Sequence, residues 1–195
     1  MAIENSTDEN NAVGGNQQIQ PNPLISVADL SDRCFPTRRI PQNERTSLEL
    51  NGIERAKNSP GSTQIQNDVR GIIGEYVVAD LFGAEVNTEI YQGGDGGYDF
   101  CVDGMLVDVK TRNPRCNNPD LLVDANENLR ADYYVLAQEL SSCTYRVIGY
   151  ASARTVQNAR IMEISPESPA SRVVKSNKVR VVGQHELRPI TEMMF

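Results

Sequence analysis

A single histidine, His185, is present in this chain of 195 residues, and that scarcity removes whole classes of chemistry. A His-rich zinc site, a two-histidine iron centre and a paired-histidine catalytic site all lack their material. Metal chemistry here has to run on carboxylates. Cysteine is sparse as well: Cys34, Cys101, Cys116 and Cys143 form no C-x-x-C pair and no zinc-like spacing, so reduced thiols are expected. No apolar stretch approaches the length of a membrane span, so no membrane insertion is expected. Residues 1–20 carry acidic side chains and no Lys or Arg ahead of an apolar run. Neither a secretory signal nor a transit peptide is therefore expected, and the anticipated location is cytoplasmic. Lysine is scarce too, with only Lys57, Lys110, Lys175 and Lys178 beside fifteen arginines. With the acidic balance, this points to a high-salt source or a virus-encoded protein acting in the host cytoplasm.

What is present is an ordinary soluble composition, 39% hydrophobic and 23% charged, in a length that suits one core with a modest appendage. The net charge of −7 does not announce nucleic-acid binding, but it is unevenly spread. Residues 66–129 hold 12 acidic and 4 basic side chains, whereas residues 130–195 hold 6 acidic and 9 basic. Residues 1–24, rich in Asn, Gln, Gly and Pro, cannot bury enough apolar surface to offset their ordering and are expected to be disordered. Residues 25–61 suggest an irregular arm with brief helices between Pro36, Pro41 and Pro60. The main domain is expected over residues 62–195.

Within that domain, Asn67 and Asp68 can cap a helix whose apolar positions Val69, Ile72, Ile73, Tyr76, Val77 and Leu81 keep helical spacing as far as Gly83. Strands are then expected at Glu85 to Tyr91, Tyr98 to Val102 and Met105 to Thr111. A loop follows from Asn113 to Arg130, then strands at Asp132 to Gln138 and Tyr145 to Tyr150, a short helix capped by Ser152, and a last strand at Lys178 to Val182. The order defines an α/β sandwich.

Asp103-Gly104 between two strand patterns is a strong hairpin signal. A two-residue turn there sets position 102 against 105 and, counting outward, Asp99 against Asp108. Alternation puts Lys110 on the face of Asp108, and sends Val107 and Val109 with Phe100 to the other. Like charges so close are unfavourable unless one keeps a proton or a cation lies between them. Mg2+, or equally Mn2+, suits the second solution, because it takes one or two carboxylates and completes its shell with water and phosphate oxygens. The carbonyl of Val109 is a further candidate ligand, and Lys110 would place a point charge near the attacking water or the phosphate.

The run Gly97-Tyr98-Asp99-Phe100, seven intervening residues, and Asp108-Val109-Lys110, preceded by a helix containing Gly74-Glu75, resembles the PD-(D/E)XK nuclease superfamily over residues 66–112. The resemblance implies a restriction-endonuclease-like core, αβββαβ, with a mixed sheet flanked by helices. It implies that Asp99 is the first acid, that Asp108 and Lys110 are the acid-x-lysine pair, and that Glu75 is a helix carboxylate added to the metal site. Tyr98 stands where the namesake proline would be, and the second acid is Asp rather than the commoner Glu. The implied activity is metal-dependent hydrolysis of DNA phosphodiesters.

Arg112, Arg115, Lys175 and Lys178, with Arg154, Arg160, Arg172 and Arg180, can line a groove for DNA phosphates. No base-reading motif accompanies them. The glycines Gly93, Gly94, Gly96 and Gly97 precede a strand and carry no lysine, so they are not a phosphate loop and no nucleotide cofactor is expected. Plainer roles compete: Asp99 as a turn cap, Lys110 as a snorkelling side chain, Glu75 as a solvated helix residue, Asp95 as a turn residue, and His185 as a structural or exposed one. Two functional alternatives stand beside a general nuclease. One is a Holliday-junction-resolving enzyme, which would make a homodimer the partner to expect. The other is a non-catalytic DNA-binding protein that kept the fold.

Overall fold

Gly83, at φ 64°, closes helix α2 (Ile65–Leu81) in the left-handed conformation that glycine supplies at a helix end. Ile72, Ile73, Val77 and Val78 of this helix are buried. The helix begins two residues before the expected cap, so Asp68 falls in its first turn, where a carboxylate favours the amide dipoles. The computed structural model describes residues 35–58, 65–87, 96–165 and 176–193. The expected tail at 1–24, most of the expected strand Glu85 to Tyr91, Gly93 to Asp95, Arg172 and Lys175 lie outside these.

Before α2 come strand β1 (Thr37–Arg39) and helix α1 (Gln42–Asn58), in the same compact unit, Cys34–Phe195, as all that follows. After it come β2 (Phe100–Val102), β3 (Met105–Arg112), β4 (Leu121–Asp124), β5 (Tyr133–Ser141), β6 (Thr144–Ser152), helix α3 (Ala153–Gln157), β7 (Arg160–Glu163) and β8 (Lys178–Val182). Ser152 caps α3 as its sequence predicts, accepting the N–H of Thr155 at 3.2 Å. Of the expected strand at 85–91, the described part forms an isolated bridge, Val86 to Phe100.

The described strands form two sheets. A mixed sheet of five strands runs β1-β6-β5-β3-β2, with β3 parallel to β5 and its other pairs antiparallel. An antiparallel sheet of three runs β4-β8-β7. Side-chain alternation divides the core accordingly. Val107, Val109, Val135 and Ala137 pack with Ile73 and Val77 of α2. Tyr134, Leu136 and Ile148 pack with Leu121, Val123 and Val182 of the small sheet and with Val156 of α3.

The expectation of an α/β protein with a mixed sheet thus holds, with a difference in its layers. The second face is covered largely by a sheet, one strand of which lies inside the segment expected to be loop. Asp108 and Lys110 pair with Tyr134 and Leu136 in the parallel ladder, and so lie on that second face. No described helix is long and apolar enough to cross a membrane.

Candidate active site at the edge of the mixed sheet

Asp103 at φ 48° and Gly104 at φ 81° form a turn with both central residues left-handed, the geometry that matches the twist of a two-residue hairpin. The register is the one this turn dictates: Val102 pairs with Met105, Cys101 with Leu106 and Phe100 with Val107. There the ladder stops. Asp99 precedes β2, and its backbone N–H donates to the Val107 carbonyl at 2.8 Å. Its side chain continues the pairing, for Asp99 Oδ2 accepts the N–H of Val109 at 2.6 Å. The two aspartates are therefore brought together by a side chain that replaces the missing strand, not as a ladder pair. Because the Val109 N–H points out to this free edge, the carbonyl of the same extended residue is directed the same way.

Asp108 and Asp99 are 3% and 4% exposed, and Glu75 on α2 is 8% exposed; Asp99, at the strand edge, feels Glu75 from the α2 face of the sheet and Asp108 from the other. Lys110 Nζ lies 3.0 Å from Asp108 Oδ2 and 3.3 Å from Glu127 Oε1. Burial disfavours its charge, but the carboxylates of Asp108, Glu127 and Asp99 outweigh that and raise its proton affinity above the ordinary lysine value. Lys110 is thus a permanent cation at neutral pH. Asp99 is shifted the opposite way in charge: burial, then the neighbouring carboxylates of Glu75 and Asp108, push its pKa well above 3.8, against the pull of Lys110 and the Val109 N–H.

Glu75 is positioned by close approach of α2 to β3. Gly74 permits it, since a methyl group there would overlap the Thr111 hydroxyl. Glu75 Oε2 accepts from Arg55 Nη1 at 2.8 Å, and Arg55 Nη2 donates to the Asn87 carbonyl at 2.6 Å. Asn87 in turn donates its N–H to the Asp99 carbonyl at 2.7 Å. Arg55 therefore joins the helix carboxylate to the chain that supports Asp99.

Two residues of this cluster, Arg55 and Glu127, carry no local sequence signal. Arg55 reaches Glu75 from another helix, and Glu127 sits in the polar turn Asn126-Glu127-Asn128 beyond β4. The Glu127 turn is fixed by Arg180, whose Nη1 donates to the Asp124 carbonyl at 2.7 Å and the Glu127 carbonyl at 3.5 Å. That gives one of the expected groove arginines a structural task. Arg112 ends β3, beyond Lys110, and Arg115 lies exposed in the following turn. Lys178 begins β8 in the other sheet, 3.6 Å from Glu163. His185 is exposed in a short 3-10 turn, Gln184–Glu186.

Among the described residues, no three Asp, Glu, His or Cys side chains stand close enough together to grip a metal ion as they are placed. Glu75 comes from α2 on one face of the sheet and Asp108 lies on the other, and each is held by its own cation, Arg55 and Lys110. The donor set nevertheless fits a hard divalent cation: carboxylate oxygens and a backbone carbonyl, with one carboxylate whose proton affinity is raised first by burial and then by its acidic neighbours. The sequence matches no protein-family model, no curated protein and no solved structure.

Proposed function

We propose that this chain is a divalent-metal-dependent endonuclease that hydrolyses DNA phosphodiesters, built on a restriction-endonuclease-like core of the PD-(D/E)XK type. The observation that carries the reading is the group Asp99, Asp108 and Lys110: two buried carboxylates and a lysine meeting where β2 stops and β3 continues paired on its β5 side. Acids so buried are costly unless their charge is answered, and the arrangement is hard to account for as packing.

Asp99 and Asp108, with Glu75 and the Val109 carbonyl, would hold Mg2+ or Mn2+. Bound there, the cation would supply Lewis-acid activation of a phosphoryl oxygen and of water. Lys110, kept protonated by its acidic neighbours, serves as a positive charge toward the scissile phosphate and not as a general base. A DNA phosphate arriving at Lys110 competes with Glu127, which occupies that cation now. Arg112 at the end of β3 and Arg115 in the turn after it would follow the backbone of the bound strand. Base-independent backbone contact leaves a junction-resolving enzyme within the same reading.

A second reading, a DNA-binding protein that does not cut, is favoured by one feature: each of Asp108 and Glu75 has a basic partner without any metal. The discriminating experiment incubates the full chain with single-stranded, duplex and four-way-junction DNA in Mg2+ and, separately, measures Mg2+ binding by calorimetry. Metal-dependent cleavage that disappears in Asp108→Ala supports the nuclease. DNA binding without cleavage and without Mg2+ uptake at millimolar metal selects the second reading.

A further inference from the structure

Two carboxylates answer the one charge of Lys110, and burial requires only the first. Asp108 lies 3.0 Å from Nζ and is almost wholly shielded from water, so its charge is costly there without a cation. Glu127 stands differently. Its side chain is 27% exposed, so water can solvate the carboxylate, yet both oxygens are turned to Nζ, at 3.3 and 3.5 Å. A pair so exposed adds little to stability, which leaves the second carboxylate without a structural reason to be there. The turn that carries it is nevertheless well fixed. The Glu127 N–H donates to the Asp124 carbonyl at 3.1 Å, and Arg180 Nη1 spans the Asp124 and Glu127 carbonyls. Asp124 Oδ1 accepts the N–H of Asn126 at 2.8 Å, and its two oxygens accept the hydroxyl and N–H of Ser176 at 2.8 and 2.7 Å. The backbone at 127 is held beside Lys110, while the carboxylate can swing into solvent without breaking any of these bonds.

We propose that Glu127 is a tethered stand-in for a substrate phosphate, one that neutralises Lys110 while no nucleic acid is bound and is displaced when a strand arrives. The inference rests on the reading of Lys110 as the cation that meets the scissile phosphate. Its consequence is selection by length of the polyanion. A strand brings further phosphates to Arg112 and Arg115 that offset the displacement of Glu127, whereas a lone phosphate brings none.

The test measures, by fluorescence anisotropy, binding of the full chain to labelled duplex and single-stranded DNA in EDTA, where metal-dependent cleavage is blocked, at about 50 mM salt, where screening is weak. Glu127→Gln should bind about fivefold more tightly than the wild type, since a partly exposed ion pair no longer has to be displaced. Glu127→Asp separates contact with Lys110 from general repulsion of DNA. It keeps the charge but is one methylene shorter, so its affinity should lie closer to that of the glutamine variant than to that of the wild type. A glutamine variant that binds no more tightly than the wild type overturns the proposal. So does an aspartate variant whose affinity lies closer to the wild type, because Glu127 would then act only through its charge. Either result leaves the nuclease reading standing, whereas failure of all three proteins to bind DNA removes that reading and this inference together.

Discussion

Asp99 Oδ2 accepts the backbone N–H of Val109 at 2.6 Å, so a side chain completes the pairing of β3 where β2 has ended. That single bond fixes a carboxylate beside two others in a dry setting, and the setting raises its proton affinity. The stability contributed by such a group is full below the ordinary value of 3.8 and is lost as pH rises through the higher folded value. Without added metal, the melting temperature should therefore decline on going from acid toward neutral pH by more in the wild type than in Asp99→Asn, which retains an oxygen for the Val109 N–H. Mg2+ should restore about 3 °C or more at neutral pH in the wild type and little in Asp99→Asn. Thermal melts across pH, with and without Mg2+, read this directly, and identical profiles for the two proteins would remove the proposed cation site.

Lys110 and Asp108 form a partly dry ion pair, and the consequences of deleting each member differ. Lys110→Ala leaves Asp108 buried without its cation, and should cost on the order of 3 kcal/mol of stability as well as cleavage. Asp108→Ala leaves Lys110 with Glu127 as partner, so it should abolish cleavage at a smaller cost in stability. Urea unfolding of the two single variants and the double variant supplies the coupling energy. A Lys110→Ala protein as stable as the wild type would mean that the lysine does not answer the charge of Asp108.

The parts of this site that were legible in the sequence are those that local chemistry dictates. Asp103-Gly104 demanded a left-handed turn, which set the register of Phe100 to Val107, and alternation then placed Lys110 with Asp108. The end of β2 was not legible, because nothing in Gly97-Tyr98-Asp99 announces that pairing passes from backbone to side chain. Leu121-Leu122-Val123 is too short a run between Pro119 and the polar turn to read as a strand, and β7 exposes all four residues, so it lacks a burial pattern altogether. Arg55 and Glu127 act through contacts across the chain, which one sequence without tertiary context does not encode visibly.

Gly74 tests whether the placement of Glu75 depends on the close approach of helix to strand. Gly74→Ala would drive a methyl group into Thr111 and should destabilise the fold by about 1–3 kcal/mol. Adding Thr111→Ala removes the hydroxyl that lies in the way, so the double variant should recover part of the loss despite a second large-to-small change. Denaturant midpoints for the set check this, and equal stability of Gly74→Ala and wild type would show that the helix stands off the strand.

Arg55 offers the sharpest separation between a structural and a metal-binding role for Glu75. In the present arrangement the guanidinium holds Glu75 at 2.8 Å and the Asn87 carbonyl at 2.6 Å. Replacing it with glutamine removes one positive charge from a cluster of carboxylates and frees a Glu75 oxygen. If Glu75 serves the cation, Arg55→Gln should lower folding stability yet tighten Mg2+ binding several-fold, because the field at the site becomes more negative while its donors increase. If Glu75 is only the anchor of Arg55, stability falls and Mg2+ affinity does not rise. Calorimetric titration of Mg2+ into both proteins, beside their urea midpoints, distinguishes the two outcomes. Glu75→Gln in the Arg55→Gln background completes the comparison, since any gain in affinity that runs through Glu75 has to vanish with its charge.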